Sequence, residues 1–207
     1  MDAIEAMETC RAMRYLKRDP IPDELLEKVL YAATRASNPG NSQGWAFVVV
    51  RDEAQKARIN DAVIEGVGFN VDETAAAQDP SGADPVTTRI IEGANHLMQN
   101  MRYAPAIVIV GARCIYPPQN PMKELLPSSI YPAAQNLIVA ARSLGLGTTF
   151  TTFCMQAEPQ IREILGIPDD VHLGALIPMG WPEKSFGPLA RKPLSDVVHY
   201  DTWDPAR

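Results

Sequence analysis

Residues 129–144 constrain the fold of this chain more than any other segment. Tyr131, Ala134, Leu137, Ile138, Ala141 and Leu144 recur on one side of a helix. Ala133, Val139 and Ala140 make the opposite side small or apolar as well. A helix that is apolar almost all round must be covered all round, in a large core or at a subunit interface. Gly145-Leu146-Gly147 then stops it, as glycine does just past a helix end.

The other elements are spaced to supply that cover. Pro20-Ile21-Pro22-Asp23 opens a helix that keeps Leu25, Leu26, Val29, Leu30 and Ala33 on one face. Residues 45–51 read as a strand and 53–65 as a loosely patterned helix. From 66 to 85 glycines, prolines and acids dominate, which reads either as a surface loop or as a lid over a site. Ile90, Ile91, Ala94, Leu97, Met98 and Met101 form the next helical stripe, and 105–111 is a β-branched run bounded by Pro and Gly. A Pro-rich stretch over 117–127 bridges to the central helix. Beyond it the pattern predicts a strand over 148–153, a helix over 159–165, a strand over 173–180 and a last short strand within 191–200. With no repeat and no linker, residues 1–207 read as a single domain with a lid insertion near 66–86. Strands and helices do not alternate strictly, so the expected class is α+β, a mixed sheet covered by helices.

Composition narrows the function classes. Apolar residues make up 46% and charged residues 21%, a globular balance. A formal net charge of -6 argues against non-specific binding to nucleic acid or anionic membranes. Cys10, Cys114 and Cys154 form no C-x-x-C pair and read as reduced thiols of a cytoplasmic protein. The acidic start Met1-Asp2-Ala3-Ile4-Glu5 has no signal-peptide character, and no run approaches the roughly 18 apolar residues of a membrane span.

The usual catalytic constellations are absent. His96, His172 and His199 have neither HExxH spacing nor a cysteine partner at metal-ligand spacing, so no metal site is expected. There is no G-x-S-x-G elbow and no Walker loop, and Gly145-Leu146-Gly147 lacks the third glycine of a dinucleotide fingerprint. A bound cofactor that carries the hard step itself would account for this. Four segments suit one: the long helix over 133–148 with its glycine stop, and three richer in polar groups. Arg11 and Arg14, three apart near a helix end, can grip a phosphate or form a solvated basic face. Ser37-Asn38-Pro39-Gly40-Asn41-Ser42-Gln43-Gly44 offers amides and close backbone approach to a flat polar ligand, or plain turn chemistry. Arg191-Lys192 near the C-terminus adds a third basic point.

Taken in chain order, these segments resemble the FMN-dependent nitroreductase family. Arg11 and Arg14 match its Arg-Ser-x-Arg, with Ala12 in place of the serine, so only backbone donation remains at Ala12 and Met13. Asn41 and Gln43 match the family's Asn and Gln beside the isoalloxazine ring, whereas Ser37, Asn38, Pro39 and Gly44 depart from its pattern. Residues 133–148 resemble the long helix ending in Gly-Leu-Gly, after which backbone at Gly147 and Thr148 runs along the flavin. Arg191 matches the arginine that completes the phosphate clamp. The resemblance implies a mixed, mainly antiparallel sheet and a homodimer built on the central helix. It also implies that residues 37–43 of one subunit approach the flavin held by the other. FMN would carry hydride from NADH or NADPH to a small electron-poor acceptor such as a nitroaromatic, quinone or enone, with no catalytic side chain. Dehydrogenation, dehalogenation, flavin fragmentation and a non-catalytic flavin-sequestering or sensor role are the alternatives. Phe69, Tyr103, Phe150 and Phe153 are candidates both for pocket walls and for ordinary core packing.

Overall fold

The computed structural model describes residues 1–68 and 84–203. Its centre is an antiparallel sheet of β1 (Trp45–Val50), β2 (Ala106–Arg113), β3 (Gly147–Thr148) and β4 (Val171–Gly180), in the order β1-β2-β4-β3. Six helices accompany it among the described residues: α1 (Ala3–Thr9), α2 (Asp23–Ala33), α3 (Glu53–Val67), α4 (Pro85–Asn100), α5 (Pro127–Ser143) and α6 (Glu158–Leu165). The α+β expectation therefore holds.

The sheet is covered on both faces, and its sequence shows why. Along β2, Val108, Val110 and Ala112 pack into one core with Leu26, Val29, Leu137 and Ala141, from α2 and α5. Ile107 and Ile109 point the other way, into a second core with Ile59, Val63, Leu97 and Ile161, from α3, α4 and α6. A strand buried on both sides reads as an unbroken apolar run, since alternate residues serve opposite faces. Helix ends follow their local chemistry. The Asp52 carboxylate accepts from the Gln55 N–H at 2.8 Å to cap α3, and Gly68 closes that helix in the left-handed region at φ 56. Asp84 caps α4 through the Val86 and Thr87 amides. These caps flank the expected lid, whose residues 69–83 lie outside the described residues.

Two expected strands differ from the structure. The run 148–153 forms a regular ladder only at Gly147–Thr148. Beyond it the chain still runs beside β4, with Thr149 N donating to Pro178 O at 3.2 Å and Thr151 exchanging bonds with Leu176. Pro178 has no N–H to return, so the ladder is interrupted opposite Thr149. The tail 191–200 contains no strand either. It carries a single 3₁₀ turn at Leu194–Asp196, and Leu194, Val197 and Tyr200 are exposed, so no buried face specifies a register.

The α5 helix is covered on one side only. Ala133, Ala134, Leu137 and Ala141 are fully buried, and Asn136 Nδ2 donates to the Ala32 carbonyl of α2 at 3.3 Å. Val139 and Ala140 are half-buried and Tyr131 is exposed.

One polar group inside the second core ties α3 to the end of α4. Asn60 is fully buried; its Nδ2 donates to Met98 O at 2.8 Å, and its Oδ1 accepts from Arg102 N at 2.8 Å. Replacing Asn60 by Leu keeps the volume and orphans two backbone groups. Urea denaturation is expected to show a loss of about 2 kcal/mol or more, and unchanged stability would show that these bonds contribute nothing net.

Candidate functional site

The site begins at a seam between the chain after α1 and the edge of the sheet. Ala12 pairs in parallel with Thr148. Met13 N donates to Thr148 O at 2.8 Å, and Thr149 Oγ1 donates to Met13 O at 2.9 Å. The approach is so close that a Cβ on Gly147 would stand 2.8 Å from the Met13 Cβ, which only glycine avoids. Farther along, Lys17 N donates to Trp181 O at 2.8 Å, so the segment is pinned at both ends. Met13 is buried behind the seam, and Arg11 and Arg14 flank it.

A pocket of about 600 Å³ opens there, lined by Arg11, Ala12, Arg14, Thr148 and Arg191. Three guanidinium groups thus come from two distant stretches of chain. Arg191 donates to the Ala190 carbonyl at 2.8 Å. Among the described residues, no carboxylate lies within 4.0 Å of any of the three. The Arg14 pKa is pushed below the usual guanidinium value, first by burial and then by the like charge of Arg11. Cations held together without acids are arranged to receive an anion. The remaining wall is mixed: Gln135 and Ile138 present one face of α5, and Phe150 is an exposed apolar edge.

Cys10 also lines this pocket. Burial pushes its thiol above the ordinary value, although Arg142 acts in the other direction. It is therefore a neutral wall group rather than a nucleophile.

The amide loop lies elsewhere in the same chain. Asn38 Oδ1 accepts from Gln43 N at 2.7 Å and from Ser42 Oγ at 3.4 Å. This holds Gly40, Asn41 and Gln43 at φ 57, 51 and 52. The left-handed region is tolerable for Asn but unfavourable for Gln, and such backbone is kept where the surroundings enforce it. The side chains of Ser37, Asn41 and Gln43 are exposed, and Pro39 packs near Tyr116. Trp45, just after the loop, pairs with Ala112 at one end of β2, whereas Thr148 pairs with Met179, whose partner is Ala106 at the other end. The loop and the arginine pocket are thus at diagonally opposite corners of the sheet, roughly 25 Å apart by ordinary strand spacings.

Comparison with known proteins adds the family to this geometry. Residues 8–181 match the family model described as Nitroreductase family. The chain belongs to the nitroreductase family. It is 29% identical over 209 residues to an NADH dehydrogenase of Thermus thermophilus, covering 96% of this chain and 95% of that one. It is 25% identical over 199 residues to iodotyrosine deiodinase 1 of Rattus norvegicus, covering 94% of this chain and 67% of that one. A crystal structure of a nitroreductase with bound FMN from Desulfitobacterium hafniense superposes with a TM-score of 0.73 at 18% identity, covering 98% of this chain and 100% of that one.

Of the residues singled out in the sequence, Arg11, Ala12, Arg14, Thr148 and Arg191 meet at one pocket, with Met13 and Gly147 behind it. Ser37, Asn38, Pro39, Asn41 and Gln43 do not join them within one nitroreductase chain. Of the described aromatics among these candidates, Phe150 alone lines the pocket. Tyr103 borders another cavity, Phe153 packs against the second core, and Phe69 lies outside the described residues. Sequence reasoning passed over Gln135 and Ile138. The signal was there: Gln135 is a polar residue in a mainly apolar stretch of helix, three before Ile138 on the same face.

The thiols give a direct check on this environment. Cys154 is fully buried, and its pKa is pushed up to about 12 by burial first and by Glu158 second. A thiol raised this far stays protonated at pH 8. With a disulfide reagent at that pH, Cys154 is expected to stay silent in the native protein and to react after denaturation. Fast native modification of all three cysteines would contradict the packing around α6.

Proposed function

We propose that this nitroreductase-family chain is an FMN-dependent NAD(P)H oxidoreductase, a single FMN-binding domain working in the cytoplasm as a homodimer. The observation that carries the reading is the convergence of Arg11, Arg14 and Arg191 on one pocket with no carboxylate partner among the described residues. Their planar donors suit a phosphate monoester dianion, and the pocket volume leaves room for an attached ring system. The donor set therefore fits FMN. When bound, FMN supplies the hydride chemistry, accepting from NADH or NADPH and delivering to an electron-poor acceptor such as a nitroaromatic, quinone or enone.

The chain's own tasks follow from where its residues stand. The three arginines would hold the phosphate and so fix the cofactor's position. The backbone of Gly147 and Thr148, locked by the seam to Met13, offers a rigid edge that is not rearranged on binding. Ile138 and Phe150 exclude water from one wall. Asn41 and Gln43 would contact the ring from a second copy, because the diagonal separation exceeds the reach of one mononucleotide within a single chain. The half-covered face of α5, with Tyr131, Val139 and Ala140, is the surface such a copy would bury.

A second reading within the same chemistry is reductive dehalogenation, which the similarity to iodotyrosine deiodinase 1 favours. The acceptor panel must therefore include a halogenated phenol beside quinones and nitroaromatics.

Purified protein is expected to be yellow and to bleach under anaerobic conditions on addition of NADH or NADPH. A charge-assisted hydrogen bond to the phosphate contributes about 1.5–3 kcal/mol, so Arg14→Ala or Arg191→Ala is expected to weaken FMN binding about tenfold or more. Wild-type affinity in both variants would remove the phosphate from this pocket, and flavin that neither nucleotide reduces would leave a flavin carrier rather than an oxidoreductase.

A further inference from the structure

A second cavity, of about 470 Å³, lies where the chain turns into α2 and α3. Arg18, Arg51, Lys56, Arg102 and Glu53 line it, with Tyr103 as an aromatic wall. Four cations thus face one carboxylate. Two are already paired: Arg51 with Asp23, and Arg102 with Asp61, while Arg102 also donates to the Ala57 carbonyl at 3.3 Å. The other two are not. Arg18 lies with its guanidinium carbon 3.9 Å over the Tyr103 ring, a contact that leaves its edge donors available. Lys56 Nζ donates to the Ala104 carbonyl at 2.6 Å. Among the described residues, neither has a carboxylate within 4.0 Å.

Lys56 is the decisive group, because it is only 5% exposed. An ammonium carries three donors and a full charge; one neutral carbonyl meets one donor and none of the charge. Burial pushes its pKa below the usual lysine value, and the nearby Arg51 acts in the same direction against Glu53 and Asp52. A buried charge is retained without severe penalty when a counter-charge sits beside it. Glu53 and Asp52 act on it from a distance, but among the described residues no carboxylate comes within 4.0 Å of the ammonium, and open volume lies beside it.

We propose that this cavity binds the phosphate group of a small phosphorylated metabolite, at a site separate from the flavin pocket. A phosphate dianion offers several acceptors, enough to engage both the Lys56 ammonium and the fork of Arg18, where one carboxylate would neutralise a single charge. The volume exceeds what inorganic phosphate needs, and Pro20, Tyr103 and Pro105 give the rest of the metabolite apolar contact. The site is concave and the chain net acidic, so an extended polyanion is not its ligand.

The test is calorimetric titration of FMN-saturated protein with inorganic phosphate and, in parallel, with glucose 6-phosphate. One saturable site per chain is expected beyond the flavin. Arg18→Gln, at an exposed position, is expected to weaken it about tenfold without changing flavin content. Lys56→Met is expected to abolish it, and retained flavin absorbance reports that the variant folds. Absence of a saturable site for both probes, or equal affinity in wild type and Arg18→Gln, would overturn the proposal. So would phosphate binding that responds to Arg14→Ala and not to Arg18→Gln, since the ion would then occupy the other arginine cluster. Reading flavin content separately keeps the outcome independent of the flavin assignment.

Discussion

The candidate site depends on the seam between residues 12–13 and Thr148–Thr149. One parallel bridge and two reciprocal hydrogen bonds fix a stretch that has no regular secondary structure of its own. Without them Arg11 and Arg14 would be two flexible side chains after a seven-residue helix. With them, their backbone is tied through β3 to β4, the strand that also pairs with β2 at the centre of the sheet. The missing side chain of Gly147 makes the approach possible, and the buried Met13 anchors it. Two like charges can then be held close, with Arg14 partly desolvated, because the fold supplies the constraint that opposes their repulsion.

The same logic contrasts two groups among the chain's cations. Arg113 pairs with Asp170 across two separate stretches of chain, and Arg162 pairs with Glu158 within α6. Arg162 also donates to the Pro168 carbonyl at 2.6 Å, closing the loop after α6. An exposed pair such as Arg113–Asp170 contributes little by itself. Among the described residues, Arg11, Arg14, Arg191, Arg18 and Lys56 have no acid within 4.0 Å, and they line open volume. In a net-acidic protein, where acids are plentiful, unpaired cations gathered at cavities are the signature of anionic ligands.

Much of this was legible in the sequence, and the exceptions have identifiable causes. The amphipathic stripes of α2 and α4 and the apolar surround of α5 are periodic, and periodicity is what burial imposes. The strand over 148–153 was overestimated because β propensity in Thr and Phe says nothing about the partner, and Pro178 on that partner removes a donor. The tail strand rested on β-branched residues that no sheet edge receives within the chain. The arginine pair and Arg191 were visible only as charges; that they converge is a consequence of the seam, which has no local pattern. The second cavity was invisible for the same reason, since Arg18, Lys56 and Arg102 come together only when α3 packs beside the end of α4. The amide loop was recognised as chemically rich, but its separation from the arginines is a property of sheet order.

That separation makes the proposal specific: the proposed site would require two chains, one giving the arginines and the other giving Asn41 and Gln43. The most direct measurement is subunit complementation, mixing Arg14→Ala protein with an Asn41→Ala/Gln43→Ala variant under conditions that allow exchange, then measuring bound FMN. The account predicts that the mixture binds FMN more tightly than either parent alone, because each mixed dimer rebuilds one intact site. A mixture that never binds more flavin than the better parent would place the whole site within one chain and contradict it.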